Sequence, residues 1–557
     1  MEMSTFEILP VEILHRIFDH LDVQTLLFSV RCVCRRLYSS VNSYQSFRCN
    51  FEEISKTKFH LVCQLIPLEN VVSLILSDQD QTYGQISFFL SLFNLEQFIR
   101  LRSLTLLQID NDQLNIFLNS IHRTSLTSLV IDVEAFNIRQ NTSLSHLSSV
   151  IEHITLKNLD LNMRSKDMNE LQWPINCTLT YLRIRTSITL NQFSLILQSS
   201  PCLKTMVLKD FRLEQTQFDH DRYPQLKSLT CEGGRIQMEK FERCLTLTPA
   251  LMHLKLVGNG NLFDSAFDGH RWQTLIAQYL PALEKFQFFL SVLTHVNFDT
   301  NHVEEIISHY RSPFWIDDKQ CSVQCDYIVY LHRLILYSLP ICTSRLEYHH
   351  SDIQIVSVNN STVESVDSIV MENVKQLDLN LTKFQWNDER EQRNEFLFRN
   401  VTEFRLEIDG KWPKGSMEFL STTIDLQQIS KLFLSVNFWH EYMPSIVHGV
   451  QQLLQQAVNI QTLSLFDYCA PGYCTTTMET VCALVTSNIK HLQIRVRNMD
   501  DMKYLLDNLT HLISVTFEFA QNLIVNHEEL IDCLADVRRY LSRWECQHAL
   551  HLWLDHH

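Results

Sequence analysis

The sequence predicts an α/β fold in two parts: an amino-terminal module of three short helices, then a long repeat solenoid with a parallel sheet on its concave face and helices behind it. Three observations carry that expectation. Residues 6–47 place their apolar side chains at helical spacing in three short runs. From about residue 70 onward a triplet of apolar positions spaced as 1, 4 and 6 keeps returning. A chain of 557 residues is also far too long for one compact core, so several domains or a repeat array must accommodate it.

In the first run, Pro10 occupies an opening helical turn, where its missing N–H costs nothing, and Ile13, Leu14, Ile17, Phe18 and Leu21 then share one face. Asp22 is placed to cap the next run, Val23 to Phe28, by accepting from its free amide hydrogens. The third run extends from about Ser29 to Val41 and brings Val30, Val33, Leu37 and Val41 together. So short a bundle cannot bury all of this apolar surface, which leaves a patch for a partner. The series Leu9-Pro10-x-Glu12-Ile13-Leu14, Ile17-Phe18-x-x-Leu21-Asp22, Leu26 and Val33-Cys34-Arg35 resembles the F-box motif in order and spacing. In that family the motif binds the Skp adaptor of cullin-RING ubiquitin ligases. The resemblance implies adaptor contacts by Leu9, Pro10, Glu12, Ile13, Ile17, Phe18, Leu21, Leu26, Val33, Cys34 and Arg35. The family commonly has Trp two residues after the Cys-Arg pair; this chain has Leu37, with less aromatic contact area. A bundle that only caps the end of a solenoid is the alternative.

The array begins after residue 50 and runs to about 540. Its triplets include Leu101-Leu104-Leu106, Leu126-Leu129-Ile131, Leu179-Leu182-Ile184, Leu251-Leu254-Leu256, Val374-Leu377-Leu379, Ile429-Leu432-Leu434 and Ile489-Leu492-Ile494. There are about fifteen units, mostly spaced roughly 23 to 32 residues apart. The last two residues of each triplet point inward from a short strand, and their neighbours point outward. Segments such as Asn191 to Gln198 and Ile446 to Gln455 have helical spacing and pack behind the sheet. The array resembles the leucine-rich repeats, of the ribonuclease-inhibitor-like kind, found after many F-boxes, although the usual Asn beyond the strand is mostly missing, with Asn259 and Asn437 among the few candidates. Residues 289–373 break the rhythm, as degenerate repeats or an insertion. Their length and the strand-like pieces Tyr327 to Leu331 and Ile353 to Val358 favour degenerate repeats. The stretch 528–557 reads as a helical cap, with Trp544 and Trp553 available to close the open end.

Composition narrows the function. An apolar share of 45% with 20% charged residues belongs to a folded chain, not a disordered one. A net charge of -16 without a long basic tract argues against nucleic acid or membrane lipid as partner. Only 10 glycines leave little material for phosphate-cradling turns. Met1-Glu2-Met3-Ser4 has neither the charge nor the apolar run of a signal peptide, and no stretch is long enough to span a bilayer, so a cytoplasmic or nuclear location is expected. In that compartment the 16 scattered cysteines, Cys63 and Cys482 among them, read as small buried thiols.

Outward strand positions in the early and middle units carry Lys157, Arg183, Arg185, Lys209 and Lys255, with Tyr181 and His253 interleaved. Strands about 4.8 Å apart would align these as a basic stripe on the order of 20 Å long. Such a stripe suits an acidic or phosphorylated segment of a substrate protein; an ordinary solvated strand face is the alternative. Later units carry Asp378, Glu407, Phe433 and Phe466 instead, a chemically different half. The spacings of Cys321, Cys325 and Cys342, and the pair His349-His350, fit no standard zinc pattern. Walker, HExxH, dinucleotide and Gly-x-Ser-x-Gly motifs are missing, so neither catalytic residues nor a cofactor are expected. The expected function is a substrate-recognition adaptor of a Skp-cullin-F-box ubiquitin ligase. A repeat scaffold without ligase activity, and a small-molecule receptor of the F-box type whose phosphate ligand would suit the stripe, are the alternatives.

Overall fold

The computed structural model describes residues 9–121, 124–133, 143–153, 155–212, 222–235, 238–259, 265–294, 298–348, 355–360, 369–381, 396–437, 443–467, 478–519, 540–545 and 549–554. It divides into two compact units, one holding the described residues up to 206 with 540–545 and 550–554, the other the described residues from 207 to 519 with 549. The chain is a mixed α/β protein, a helical amino-terminal module followed by a long series of parallel strands.

The first unit opens with α1 (Val11–Phe18), a π-helical stretch (Thr25–Val30), a single turn (Arg31–Val33) and α2 (Arg35–Asn42). Pro10 holds extended backbone before α1 and its carbonyl accepts from the amides of Ile13 and Leu14, both at 3.1 Å. Asp22 caps as expected: its carboxylate accepts from the Thr25 amide at 2.8 Å and the Thr25 hydroxyl at 2.6 Å. Partial burial pushes that carboxyl up, the bonds from Thr25 pull it down, and it settles below its ordinary value.

The third run is not the single helix that its apolar spacing predicts. Cys34 is extended, with φ −155° and ψ 166°, and its sulfur accepts from the Leu37 amide at 3.5 Å, ending one turn and capping the next. Spacing alone does not register a one-residue break that leaves both flanks helical. The consequence is that Leu37 and Val41 face the core while Val33 is turned outward.

Tyr44 donates to Asp19 at 2.6 Å and packs edge-on against Phe18 and Phe47, with centroids 5.7 and 5.1 Å away. Phe47 is the first residue of β1 (Phe47–Asn50), so packed rings join the helical module to the sheet. Strands β2 (Val71–Ser77), β3 (Ser103–Ile109), β4 (Ser128–Val133), β5 (Asn158–Asn162) and β6 (Tyr181–Thr189) follow in parallel order. Their register stacks Leu74, Leu104, Leu129, Leu159 and Leu182 in one row and Leu76, Leu106, Ile131, Leu161 and Ile184 in another, all buried. These are the triplet positions. Helices such as Asn111–Ile121 and Leu190–Ser199 connect the strands, the latter opened by a capping box between Thr189 and Gln192.

The carboxy-terminal expectation is overturned where the structure describes it. Residues Tyr540–Glu545 and Ala549–Leu554 are strands, not a helical cap. Residues 550–554 are all buried, His551 and Trp553 as well as the three leucines, so this short run is covered on both faces as a strand. Trp553 is buried against the start of the array, with its ring 5.8 Å from Phe59.

Strand β7 (Thr205–Arg212) contains the boundary between the units. In the second unit β8 (Ser228–Arg235), β9 (His253–Asn259) and β10 (Lys285–Leu293) continue in parallel. The interval 289–373 then departs from the degenerate-repeat expectation. It forms β11 (Ser322–Ile328), β12 (Arg333–Leu339), β13 (Arg345–Tyr348), β14 (Ile355–Asn359) and β15 (Ile369–Val370), of which β12 runs antiparallel to both β10 and β11, and β14 antiparallel to β11. The hairpin turn uses His332 at φ 48°, a left-handed position without the glycine or asparagine that usually announces it. Strand β13 restarts the parallel rhythm with β16 (Gln376–Asn380), and β15 pairs with β17 (Phe396–Leu397) in a small separate ladder. Beyond β16 come β18 (Glu403–Asp409), β19 (Lys431–Asn437), β20 (Thr462–Asp467), β21 (His491–Val496) and β22 (Ser514–Phe519), all parallel. Leu377, Phe404, Leu432, Leu463, Leu492 and Val515 form one buried row of this second sheet. Among the described residues no helix is long and apolar enough to cross a membrane.

Candidate docking face and the outward side of the sheets

The helical module sorts its motif residues into two sets. Phe18 and Leu26 are core, beside Leu14, and so is Leu37 at 7% exposure. The Leu37 departure therefore changes packing inside the bundle. Pro10, Glu12, Ile13, Val33 and Arg35 are exposed, and Leu9, Ile17, Leu21 and Cys34 are half-buried. Ile13 is 38% exposed and Val33 71%, although both are apolar and both sit on helical turns. Val11 and Tyr38 add exposed apolar surface that the motif comparison did not single out. Holding such side chains in water is unfavourable, and covering a valine or isoleucine fully returns about 1.5–3 kcal/mol each. The Arg36 guanidinium donates to the Leu9 carbonyl at 2.5 Å, tying the entry of α1 to α2 and fixing the exposed set on one framework. Arg31 lies 4.7 Å over the Tyr38 ring and donates to its hydroxyl at 3.3 Å, a second brace.

Residues 6–50 match the F-box-like family. The module is an F-box-like domain. No curated protein matches the chain. The match ends on Asn50, the last residue of β1, so the F-box takes in the first strand of the sheet and the ring contacts that lead to it.

The outward side of the sheet distributes the basic candidates unevenly. Tyr181, Arg183 and Arg185 share β6, with Arg183 in register beside Asp160 of β5. Arg185 is committed to Asp160 through two bonds, Nε to Oδ1 at 3.0 Å and Nη2 to Oδ2 at 2.7 Å. Lys157 stands one residue before β5, where its carbonyl accepts from the amides of Thr180 and Tyr181; it is exposed but not on the strand face. In the second unit Lys209 and His253 are exposed on β7 and β9, and Lys255 reaches Glu232 at 3.0 Å. Arg185 and Lys255 are thus each matched by a carboxylate on the adjoining strand. The signal for both carboxylates was in the sequence: Asp160 lies between Leu159 and Leu161, and Glu232 follows Cys231, outward positions under the same period-two rule.

Burial pushes the Cys321 thiol up to about 12 and the Cys342 thiol to about 11, and raises Cys325 well above its ordinary value. His349 and His350 lie outside the described residues.

Proposed function

We propose that this protein is the substrate-recognition adaptor of a Skp-cullin-F-box ubiquitin ligase. Its F-box docks the Skp adaptor, its repeat array holds the protein to be degraded, and other subunits of the complex, in the cytosol or nucleus, supply the chemistry. The carrying observation is the F-box match over residues 6–50 together with Ile13 and Val33 exposed to solvent. An apolar pair on a folded framework needs a partner more than the fold needs the pair.

Co-expression of the full chain with the Skp adaptor tests this. The disrupted control is Ile13→Asp with Val33→Asp, both surface positions, because a charge at buried Phe18 would unfold the domain. Capture by the wild type and loss in the double variant, with unchanged thermal unfolding, is the expected result. A folded wild-type protein that captures no adaptor would leave the repeat scaffold as the better reading.

A further inference from the structure

In the first unit the residue just before each strand occupies a fixed step of a continuous backbone rim. The Arg102 carbonyl accepts from the amides of Thr127 and Ser128 at 2.8 and 3.0 Å, and the Thr127 carbonyl from those of Lys157 and Asn158 at 2.9 and 3.0 Å. The Lys157 carbonyl takes Thr180 and Tyr181, and the Thr180 carbonyl takes Lys204 and Thr205, in the same way. The rim therefore reads Arg102, Thr127, Lys157, Thr180, Lys204 ahead of β3 to β7. The Thr127 and Thr180 hydroxyls turn back onto the Arg102 and Lys157 carbonyls at 3.1 and 3.2 Å, while the three cations are exposed. Arg48 on β1, exposed and in register with Ser73 and through it Ser103, adds a fourth. One cation thus stands at every second strand, β1, β3, β5 and β7. Strands about 4.8 Å apart set successive cations about 10 Å apart, in a row of about 30 Å.

No carboxylate among the described residues answers this row: Arg48, Arg102, Lys157 and Lys204 make no ion pair there. The outward residues beside it, Ser103, Ser128, Asn158, Tyr181 and Thr205, are all neutral. The next outward row brings Asp160, already held by Arg185, with Arg183 in register beside it. The row after that adds Arg185 and Asp132, one charge of each sign, and Asp132 accepts from Asn162 at 2.7 Å. The acids that precede the strands, Glu69, Glu96 and Glu152, belong to turns and a helix end, with buried Val71, Leu101 and Leu156 between them and the rim. Through the second outward row the face therefore sets Arg48, Arg102, Lys157, Arg183 and Lys204 against Asp160, on a chain whose net charge is -16. A positive track on so acidic a protein fits a negative guest.

We propose that Arg48, Arg102, Lys157 and Lys204 form the docking track for an extended acidic segment of the substrate protein, whose carboxylates recur at every third residue. This rests on the adaptor reading above. A polyproline-type run rises about 3.1 Å per residue with three residues per turn, so every third side chain returns to the same face about 9 Å further on. That step is close to the one between the cations, and about ten such residues span the row. The spacing also selects the group. Each step offers one positive charge, the match for a carboxylate, whereas a phosphate dianion is best met where several guanidinium groups converge.

The test uses the full chain and fluorescein-labelled peptides of equal length, read by anisotropy. One carries Glu at every third residue among Pro and Ser; its analogues have Gln for Glu, the same residues with the Glu side chains contiguous, or phosphoserine for Glu. The spaced Glu peptide should bind about tenfold more tightly than the Gln analogue and several-fold more tightly than the contiguous one, and added salt should weaken it. Lys157→Gln with Lys204→Gln should weaken it about tenfold, with unchanged thermal unfolding. Lys411→Gln with Lys414→Gln, exposed lysines of the second unit, should leave it unchanged. No binding, equal binding of the Gln or contiguous analogue, or tighter binding of the phosphoserine analogue or of a single-stranded oligonucleotide of the same charge would each overturn the proposal. So would equal effects of the two lysine pairs. Skp-adaptor capture by the same preparations separates the two ideas. Capture without peptide binding overturns the docking track alone, and peptide binding without capture overturns the ligase reading while the docking track stands.

Discussion

The indole N–H of Trp553 donates to the carbonyl of Ile54 at 2.9 Å, across 499 residues of chain. Trp553 is fully buried, its ring lies 5.8 Å from Phe59, and Phe59 in turn lies 4.9 Å from Phe51. The last described strand is therefore part of the core next to the F-box. Trp553→Ala removes the ring and leaves the Ile54 carbonyl without its donor. A loss of about 3–5 kcal/mol is expected, visible in denaturant unfolding of the full chain as a lower midpoint with little change in slope. A change under about 1 kcal/mol would mean that the segment is dispensable to the core.

The F-box separates stability from docking. Phe18→Ala removes a buried ring that packs against His15 and Tyr44 and should cost about 3–5 kcal/mol. Val33→Asp places a charge where the side chain is already in water, so thermal unfolding should stay within about 0.5 kcal/mol of wild type. It should nonetheless abolish adaptor capture. If Phe18→Ala and Val33→Asp reduced capture only in proportion to lost fold, the exposed set would have no separate role.

The Arg185–Asp160 pair is half-buried, with side-chain exposures of 30% and 13%, and bidentate. Solvent still screens it, so its coupling should be about 1 kcal/mol, above an ordinary surface pair and well below a buried one. A double-mutant cycle with Arg185→Ala and Asp160→Ala measures that coupling directly. A coupling near zero would leave Arg185 available to a guest and restore the basic stripe as a candidate surface.

The repeat was legible because inward Leu and Ile positions recur in register, and the same residues build both buried rows of the first unit. What escaped was governed by single residues. Cys34 breaks a helix without disturbing the spacing of Val30, Leu37 and Val41, and His332 turns a hairpin in a conformation that its side chain does not advertise. Residues 550–554 are all buried, so that run carries no period that tells strand from helix. For the outward surface, listing cations without the carboxylates one strand away overstated the positive charge, since the partners Asp160 and Glu232 emerge only when adjacent strands are aligned.

His491 gives the array a pH dependence. It is buried on β21, shares a 2.8 Å hydrogen bond between its Nδ1 and the Ser514 hydroxyl, and is pushed down to about 4 by burial, with Lys431 and Lys490 adding like charge. Between pH 6.5 and about 4 the unfolded chain therefore takes up a proton that the folded chain refuses. Protons bind more to the unfolded state, so stability is fully present above that window and declines as pH falls through it, by up to about 1.4 kcal/mol per pH unit. The total over the window is roughly 3 kcal/mol, before other titrating groups are counted. Denaturant unfolding at pH 7.5 and 4.5 compares the wild type with His491→Asn, whose amide can still bond to Ser514 but does not titrate. The variant should lose less stability on acidification than the wild type. Equal losses would show that His491 is protonated in the fold without penalty, and that its burial among Thr462, Ser514 and the two lysines is looser than its 2% exposure indicates.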